Sequence, residues 1–331
     1  MRGRGSQGDT LKKLIKLTPL AAAVFYMGNA VAAYPEAPIK LVVPFAAGGP
    51  SDVVARSLAD ALSRTLDNPV IVENKPGAGG AIGSSQVARA APDGYTLGVA
   101  AVSTHVVNPA CNTTIAYDPI KDFTAISLVA EMPMIWVMQP TMKERDLAAL
   151  VSALKEKPGA FTQGTAGMCT LQHMLVQKIN AELGISIESV PYQGSAPAMT
   201  DFMGGNIDLL MDVSYLVQPL ITAGKAKPIA VVSTARLEAL PDVPTVDELG
   251  HKALNIRPWY GVVAPAGLPE DITKKLTAAV NKAMADPKLQ NNFKGSGMVP
   301  VTTVNGQDFS NKIKQEFEDN KPFAAKTNTD R

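Results

Sequence analysis

Residues 41–52, LVVPFAAGGPSD, join an apolar run to a glycine pair and then to a serine and an aspartate that open a periodic segment. Leu41 to Val43 read as a buried strand, and Val53, Leu58 and Leu62 recur behind them at roughly helical spacing. Gly48 and Gly49 let the backbone turn with its N–H groups exposed. Those donors and the positive end of the helix dipole converge on one point, so the stretch predicts a pocket for a carboxylate or phosphate.

The first 33 residues carry Arg2, Arg4, Lys12, Lys13 and Lys16 ahead of the uncharged stretch Leu17 to Ala33. That is the pattern of an export signal, with Val31, Ala32 and Ala33 supplying the small residues for cleavage near Ala33. No later stretch approaches about 18 uninterrupted apolar residues, so a soluble periplasmic product is expected. Without the leader, 26 basic and 29 acidic side chains remain, a balance that argues against nucleic acid as a partner. The two cysteines, Cys111 and Cys169, lie far apart in glycine- or asparagine-rich loops. They can pair in an oxidising compartment, but disulfide geometry is strict, and two separate, partly buried thiols are the favoured expectation.

Strands and helices alternate along the rest of the chain: Ile39 to Val43, a helix from about Ser51 to Leu66, Val70 to Glu73, a helix from about Ile82 to Ala90, and Thr96 to Ala101. Alternation of this kind predicts an α/β fold built on a mostly parallel sheet flanked by helices. The second half repeats the grammar. A strand over 161–164 runs into GTAGMCT and a helix over 171–183; a strand over 187–191 runs into YQGSAP and a helix over about 198–203. Two similar lobes with a cleft between them follow, glycine loops pointing into the cleft. The crossings between lobes are expected at Trp136 to Gln139 and at Leu254 to Pro258. Residues 34–136 and 259–331 then form a discontinuous first lobe, with the helical segment after Leu268 packing back onto it, and 137–258 form the second.

The segments YPEAPIKLVVPFAAGGPSDVVAR, VIVENKPGAGGAIGSSQVARAAPDGYTL, YDPIKDFTAISLV, VPYQGSAPAMTDFMGGNIDLLMD and WYGVVAPAGLPEDI resemble the Bordetella uptake gene family. Its members are the extracytoplasmic solute receptors of tripartite tricarboxylate transporters, and the resemblance runs in order from about Tyr34 to about Phe309. It implies a two-lobed periplasmic-binding-protein fold of the second type. It further implies capture of a carboxylated small molecule and delivery to the large and small membrane subunits of a transporter. By the same resemblance one ligand carboxylate is held by the loop after the first strand, at Phe45, Ala46, Gly48, Gly49, Ser51 and Asp52. The facing lobe contributes Gly164, Thr165, Ala166, Gly167 and Thr170. Met168 and Cys169 depart from the small or polar residues expected there: either they form a softer wall suited to an aromatic or aliphatic carboxylate, or they point into the lobe.

Other candidates come from position. Ser103, Thr104 and His105 follow the strand ending at Ala101, where α/β sheets place ligand contacts. Ala196 begins a helix after Gly194, and Asp212 ends the strand IDLLMD. Asp52 either caps the helix it opens or meets a ligand ammonium or a bound water, because two ionised carboxylates repel. Apart from Lys75 no cation lies within the glycine motifs, which favours a mono- or dicarboxylate over a tricarboxylate.

Enzyme constellations are missing: no G-x-S-x-G elbow, no phosphate-loop lysine motif, no H-E-x-x-H, and His105, His173 and His251 lack metal-ligand spacing. A monomeric binding protein without catalytic residues, metal or cofactor is expected. Presentation of the ligand to a membrane sensor kinase stands as the first alternative to transport, and a secreted enzyme as the remote one.

Overall fold

Four of the five residues of β1 (Ile39–Val43) are buried, as a strand covered on both faces requires. The computed structural model describes residues 34–302 and 305–324. The leader expected over 1–33 lies outside them. After β1 come α1 (Pro50–Leu66), β2 (Val70–Asn74), α2 (Ala81–Ala88) and β3 (Thr96–Ala101). A π-turn over Ser103–Val107 and the short α3 (Asn108–Cys111) then lead to β4 (Phe123–Glu131).

The chain next builds a second sheet from β5 (Met134–Met138), α4 (Leu147–Glu156), β6 (Thr162–Thr165), α5 (Leu171–Leu183), β7 (Glu188–Pro191), α6 (Ser195–Met203), β8 (Leu209–Val213), α7 (Ser214–Thr222) and β9 (Lys227–Val232). It returns through β10 (Trp259–Pro265), α8 (Glu270–Met284), α9 (Pro287–Gly295), β11 (Val299–Pro300) and α10 (Gly306–Ala324). The first sheet is ordered β11-β4-β10-β3-β1-β2 and the second β7-β6-β8-β5-β9.

In each sheet four strands share one direction, and the exceptions follow from the crossings. β10 is antiparallel to β3 and β4, β11 is antiparallel to β4, and β5 is antiparallel to β8 and β9. β5 and β10 are the first strands built after each passage between sheets, and both enter against the local direction. The parallel ladders lie where strand, glycine loop and helix repeat: β1 with β2 and β3, β6 with β7 and β8.

The first crossing differs from the sequence expectation. Trp136 pairs with Met211 and Ala230 inside the second sheet, and its indole N–H donates to Gln163 Oε1 at 2.9 Å. The passage is at Met132 and Pro133, because the two apolar runs FTAISLVA and MPMIWVMQ are two strands separated at a proline, which has no N–H for a ladder. The second passage ends at Pro258, and the two crossings are joined to each other, Met132 N–H donating to Pro258 O at 3.0 Å.

The C-terminal helices pack on the first sheet as expected. α10 lies over β4 and α8 against α1. Phe309 of α10 meets Trp259 edge-on at 5.2 Å between ring centres, and its ring packs against Gly261, where an added Cβ would fall 2.3 Å from it. Trp136 and Trp259 are both fully buried core residues.

Candidate functional site

The loop after β1 is held by one carboxylate. Gly48 has φ +81°, the left-handed region open to glycine, and its N–H donates to Asp52 Oδ2 at 2.9 Å. Arg56 Nε donates to the same oxygen at 2.9 Å, and Asn74 Nδ2 to Oδ1 at 2.9 Å. Asn74 also reaches Phe45 O at 3.1 Å, so β2 supports the loop from below. Burial pushes the Asp52 carboxyl up, but hydrogen bonds from Arg56, Gly48 and Asn74 outweigh it and hold the group below the usual carboxylate range. The expected cap is not what Asp52 provides: Gly49 is the N-cap of α1 with no side-chain cap hydrogen bond, and the Asp52 carboxylate instead holds the preceding loop through Gly48, Arg56 and Asn74. Its consequence is a correction: the Gly48 amide faces Asp52 and is not a spare donor for an anion.

A pocket between the sheets is lined from the first lobe by Phe45, Gly49, Pro50, Ser51, Ala101, Val102, Ser103, Pro258 and Tyr260. Met134, Ala166, Leu171, Gln172, Ser195 and Val213 line it from the second. Four helices begin there. α1 contributes its N-cap Gly49 and first turn, α5 its first two residues, α6 its first residue Ser195, and α7 its N-cap Val213. First-turn N–H groups have no intrahelical acceptor, and four positive dipole ends face one space, with the Leu171 amide taken by Ser103 Oγ at 3.0 Å and the Ser214 amide by Pro133 O at 2.9 Å. No lysine, arginine or histidine is among the lining residues. The pocket volume is about 30 Å³, so the lobes leave room between them for only a few waters. An outer cavity of about 430 Å³ adjoins it, lined by residues including Gly79, Met168, Tyr192 and Pro197 and sharing Phe45 and Ala166 with the inner pocket.

Behind the pocket wall lies Asp212, which is 2 % exposed. Its Oδ1 accepts from Val213 N–H at 2.8 Å, and Gln172 Nε2 stands 3.5 Å from both Asp212 Oδ2 and Ser195 Oγ. Burial raises its carboxyl to about 6 against the weaker pull of Ser195, Val213 and Gln172. Burial, and then the Asp212 charge, push the phenol of Tyr260 upward, so it stays a neutral donor.

The sequence candidates divide by position. Phe45, Gly49, Ser51, Ser103 and Ala166 line the inner pocket, and Gly167 lines the outer cavity. Ala46 and Ala196 sit at the interlobe contact, Ala46 beside Gly194 and the Ala196 Cβ 3.8 Å from where a Gly48 Cβ would be. Thr104, His105, Gly164, Thr165 and Thr170 are turned inward. Thr104 Oγ1 bonds the Ala101 backbone and His105 Nδ1, and His105 packs on Phe123 at 4.6 Å. Burial drives the His105 imidazole down to about 3, so it is a neutral core ring and not an acid-binding group. A Cβ on Gly164 would strike Ile207. The Thr165 hydroxyl faces Val190 O, and Thr170 caps α5, accepting from His173 N–H while donating to Gly167 O at 2.6 Å. Met134, Gln172 and Val213 went unread as lining residues; the signal for Gln172 was its place two residues after the capping threonine.

Cys111 and Cys169 are bonded to each other, with Cα atoms 5.7 Å apart. The expectation of two separate thiols is overturned, because folding brings the end of α3 against the loop before α5.

A family model for the tripartite tricarboxylate transporter family receptor matches residues 54–328. The chain belongs to that receptor family. A UPF0065 protein from the TAR-I ttuE-ttuC' intergenic region of Agrobacterium vitis is 39 % identical over 294 residues, covering 87 % of this chain and 83 % of that protein. Among solved structures, the periplasmic binding protein BugD superposes with a TM-score of 0.84 at 37 % identity, covering 89 % of this chain and 98 % of its own. MatC of Rhodopseudomonas palustris, solved with malate, gives 0.84 at 30 % identity over 88 % of this chain and all of its own. Rpa4515 of R. palustris, solved with adipate, gives 0.83 at 29 % over 89 % and 98 %. The resemblance read from the sequence and the two-lobed α/β fold both stand, and the receptor family and these neighbours are binding proteins.

Proposed function

We propose that this receptor is exported by its leader, captures a small mono- or dicarboxylate between its lobes and delivers it to the two membrane subunits of a tripartite transporter. The observation that carries the reading is the convergence of four helix N-termini on one pocket lacking cationic side chains. Such a site favours an anion through fixed dipoles and neutral donors, and charge-assisted hydrogen bonds contribute about 1.5–3 kcal/mol each. A few of them, offset by the freedom lost on association, suffice for micromolar binding at about −8 kcal/mol while leaving release possible. Malate in MatC and adipate in Rpa4515 are carboxylates of the proposed size.

Gly49, Ser51 and Ser103 supply donors from the first lobe; Gln172 and Ser195 supply them from the second. Because both walls contribute, ligand stabilises the approached lobes differentially, which is what a receptor read by its closed shape needs. The inner pocket must widen from about 30 Å³ to admit any such ligand. The role is capture without turnover.

Thermal-shift and calorimetric screening of the mature protein against malate, adipate, aspartate, benzoate, citrate and maltose tests the reading. A carboxylate at one hundred times its Kd is expected to stabilise by about 2.7 kcal/mol and to be recovered unchanged. Stabilisation by maltose alone would overturn the carboxylate assignment, and consumption of a bound acid would make the protein an enzyme.

A further inference from the structure

Cys111 closes α3 on the first lobe, and Cys169 stands in the second-lobe loop between β6 and α5. Their bond therefore joins the two walls of the cleft, and both side chains are shielded from solvent. Three further contacts join or brace the same strip. Leu171 N–H, at the start of α5, donates across the cleft to Ser103 Oγ at 3.0 Å. The Met168 carbonyl lies so close to Gly79, which has φ +62°, that a Cβ there would fall 2.3 Å from its oxygen. Asn108, on the first-lobe side, fixes that glycine loop by donating to Ala78 O at 2.7 Å and Gly79 O at 3.1 Å. Cys169 itself has φ +55°, a conformation rare for a residue with a Cβ, held where the surrounding structure determines it.

The opposite strip of the interlobe contact is held differently. Gly194 approaches Ala46 and Phe45, and Ala196 approaches Gly48, through contacts of 3.5 to 3.8 Å measured from ideal glycine Cβ positions. At those distances even an added side chain would make only ordinary van der Waals contact. The crossings at Met132–Pro133 and Pro258 join the lobes at a further place. A two-lobed receptor joined only by its crossings can rotate about them freely, but a cystine keeps its Cα atoms within about 7 Å.

We propose that Cys111 and Cys169 are positioning residues: their bond keeps the second-lobe wall from Ala166 to Leu171 docked on the first lobe without ligand. Opening is thereby confined to the Gly194–Ala196 edge. The wall carrying Ala166, Leu171 and Gln172 is thus in place before the ligand arrives, and the ordering cost of closure is reduced.

Hydrogen exchange on ligand-free protein tests this independently of the carboxylate reading. The Leu171 amide reports the tied strip, and the Val280 amide, on a fully buried residue of α8, reports global stability. In Cys111→Ser/Cys169→Ser the Val280 amide follows the loss of global stability, and the Leu171 amide is expected to speed up at least about tenfold more than Val280 does. An unchanged Leu171 rate would overturn the proposal. So would an equal rise at Val280, since the bond would then stabilise the whole fold without positioning the wall. If the serine variant does not fold, Cys111→Ala/Cys169→Ala, which keeps the site apolar, and the wild-type protein reduced with a phosphine and checked by thiol titration give the same readout.

Discussion

The amide of Gly48 donates to the carboxylate of Asp52 at 2.9 Å, so the glycine pair that announces the fold is held by the fourth residue after it. The carboxylate also accepts from Arg56 and Asn74, and truncating it leaves a backbone donor and a side-chain amide without their acceptor. Asp52→Ala is expected to destabilise the protein by about 2–3 kcal/mol, the cost of unpairing such groups in a partly buried setting. It should also weaken carboxylate binding, because Gly49 and Ser51 lose their fixed positions. Asp52→Asn, which keeps one acceptor oxygen, should lose about half as much. Urea denaturation of the three proteins measures both steps, and equal stabilities would mean that the network does not hold the loop.

Gly48 and Gly49 are expected to respond differently to substitution. Gly48 occupies φ +81°, where a residue with a Cβ costs about 1–2 kcal/mol, and its new side chain would point at Ala196 across the cleft. Gly49 has φ −80° and ψ 173°, extended backbone open to any residue, and a Cβ added there would meet only Ala46 O, at 3.5 Å. Gly48→Val should therefore reduce carboxylate affinity at least about tenfold. Gly49→Ala should stay within about threefold, because its Cβ meets only an ordinary contact. Calorimetric titration with whichever acid binds the wild type reads the asymmetry, and equal losses would contradict it.

Asp212 and His105 make pH act on stability in opposite directions. The folded Asp212 carboxyl titrates near 6 against an ordinary value of 3.8, so between those pH values the native state binds the extra proton and stability falls as pH rises. The folded His105 imidazole titrates near 3 against 6.5, so over that range the unfolded state binds the extra proton and stability rises with pH. The two slopes offset each other in the wild type. Asp212→Asn should leave the rising slope from pH 4 to 6, measured as urea midpoints. His105→Phe, in a pocket already lined by Phe123 and Tyr117, should leave the falling one. A flat profile in Asp212→Asn would show that His105 keeps its ordinary titration in the fold, and a flat profile in His105→Phe would show the same of Asp212.

Much of the fold was legible because local patterns and tertiary demands agree. β3 and α5 have the boundaries their apolar runs and flanking glycines announce, and α1 begins at the proline after the glycine pair. The crossing was misplaced because MPMIWVMQ reads as one apolar run, and only pairing with β8 and β9 shows that Trp136 belongs to the second sheet. In the site, glycine loops pointed to the right region, yet side-chain direction was not encoded in their spacing. Thr104 and His105 sit in the π-turn after β3, and Thr165 and Thr170 flank the glycine loop before α5, yet all four face inward, whereas Tyr260 reaches the pocket from a strand about 160 residues after Ala101 that pairs directly with it. The cystine was hidden for the same reason, its partners being 58 residues apart and on different lobes.

That separation also sets what the bond contributes to stability. Closing a loop of 58 residues in the unfolded chain removes entropy equivalent to about 4 kcal/mol at 25 °C. Both sulfurs are buried beside Ala110, so replacing them with serine adds the cost of placing hydroxyls in an apolar site. Cys111→Ser/Cys169→Ser is therefore expected to lose more stability than Cys111→Ala/Cys169→Ala, and both should lose at least about 2 kcal/mol relative to the oxidised wild type. Urea denaturation with and without reductant separates the contributions. Reductant should lower the midpoint of the wild type and leave both variants unmoved. A wild-type midpoint that does not respond, once thiol titration shows the bond is broken, would mean that the two lobes hold each other without the cystine.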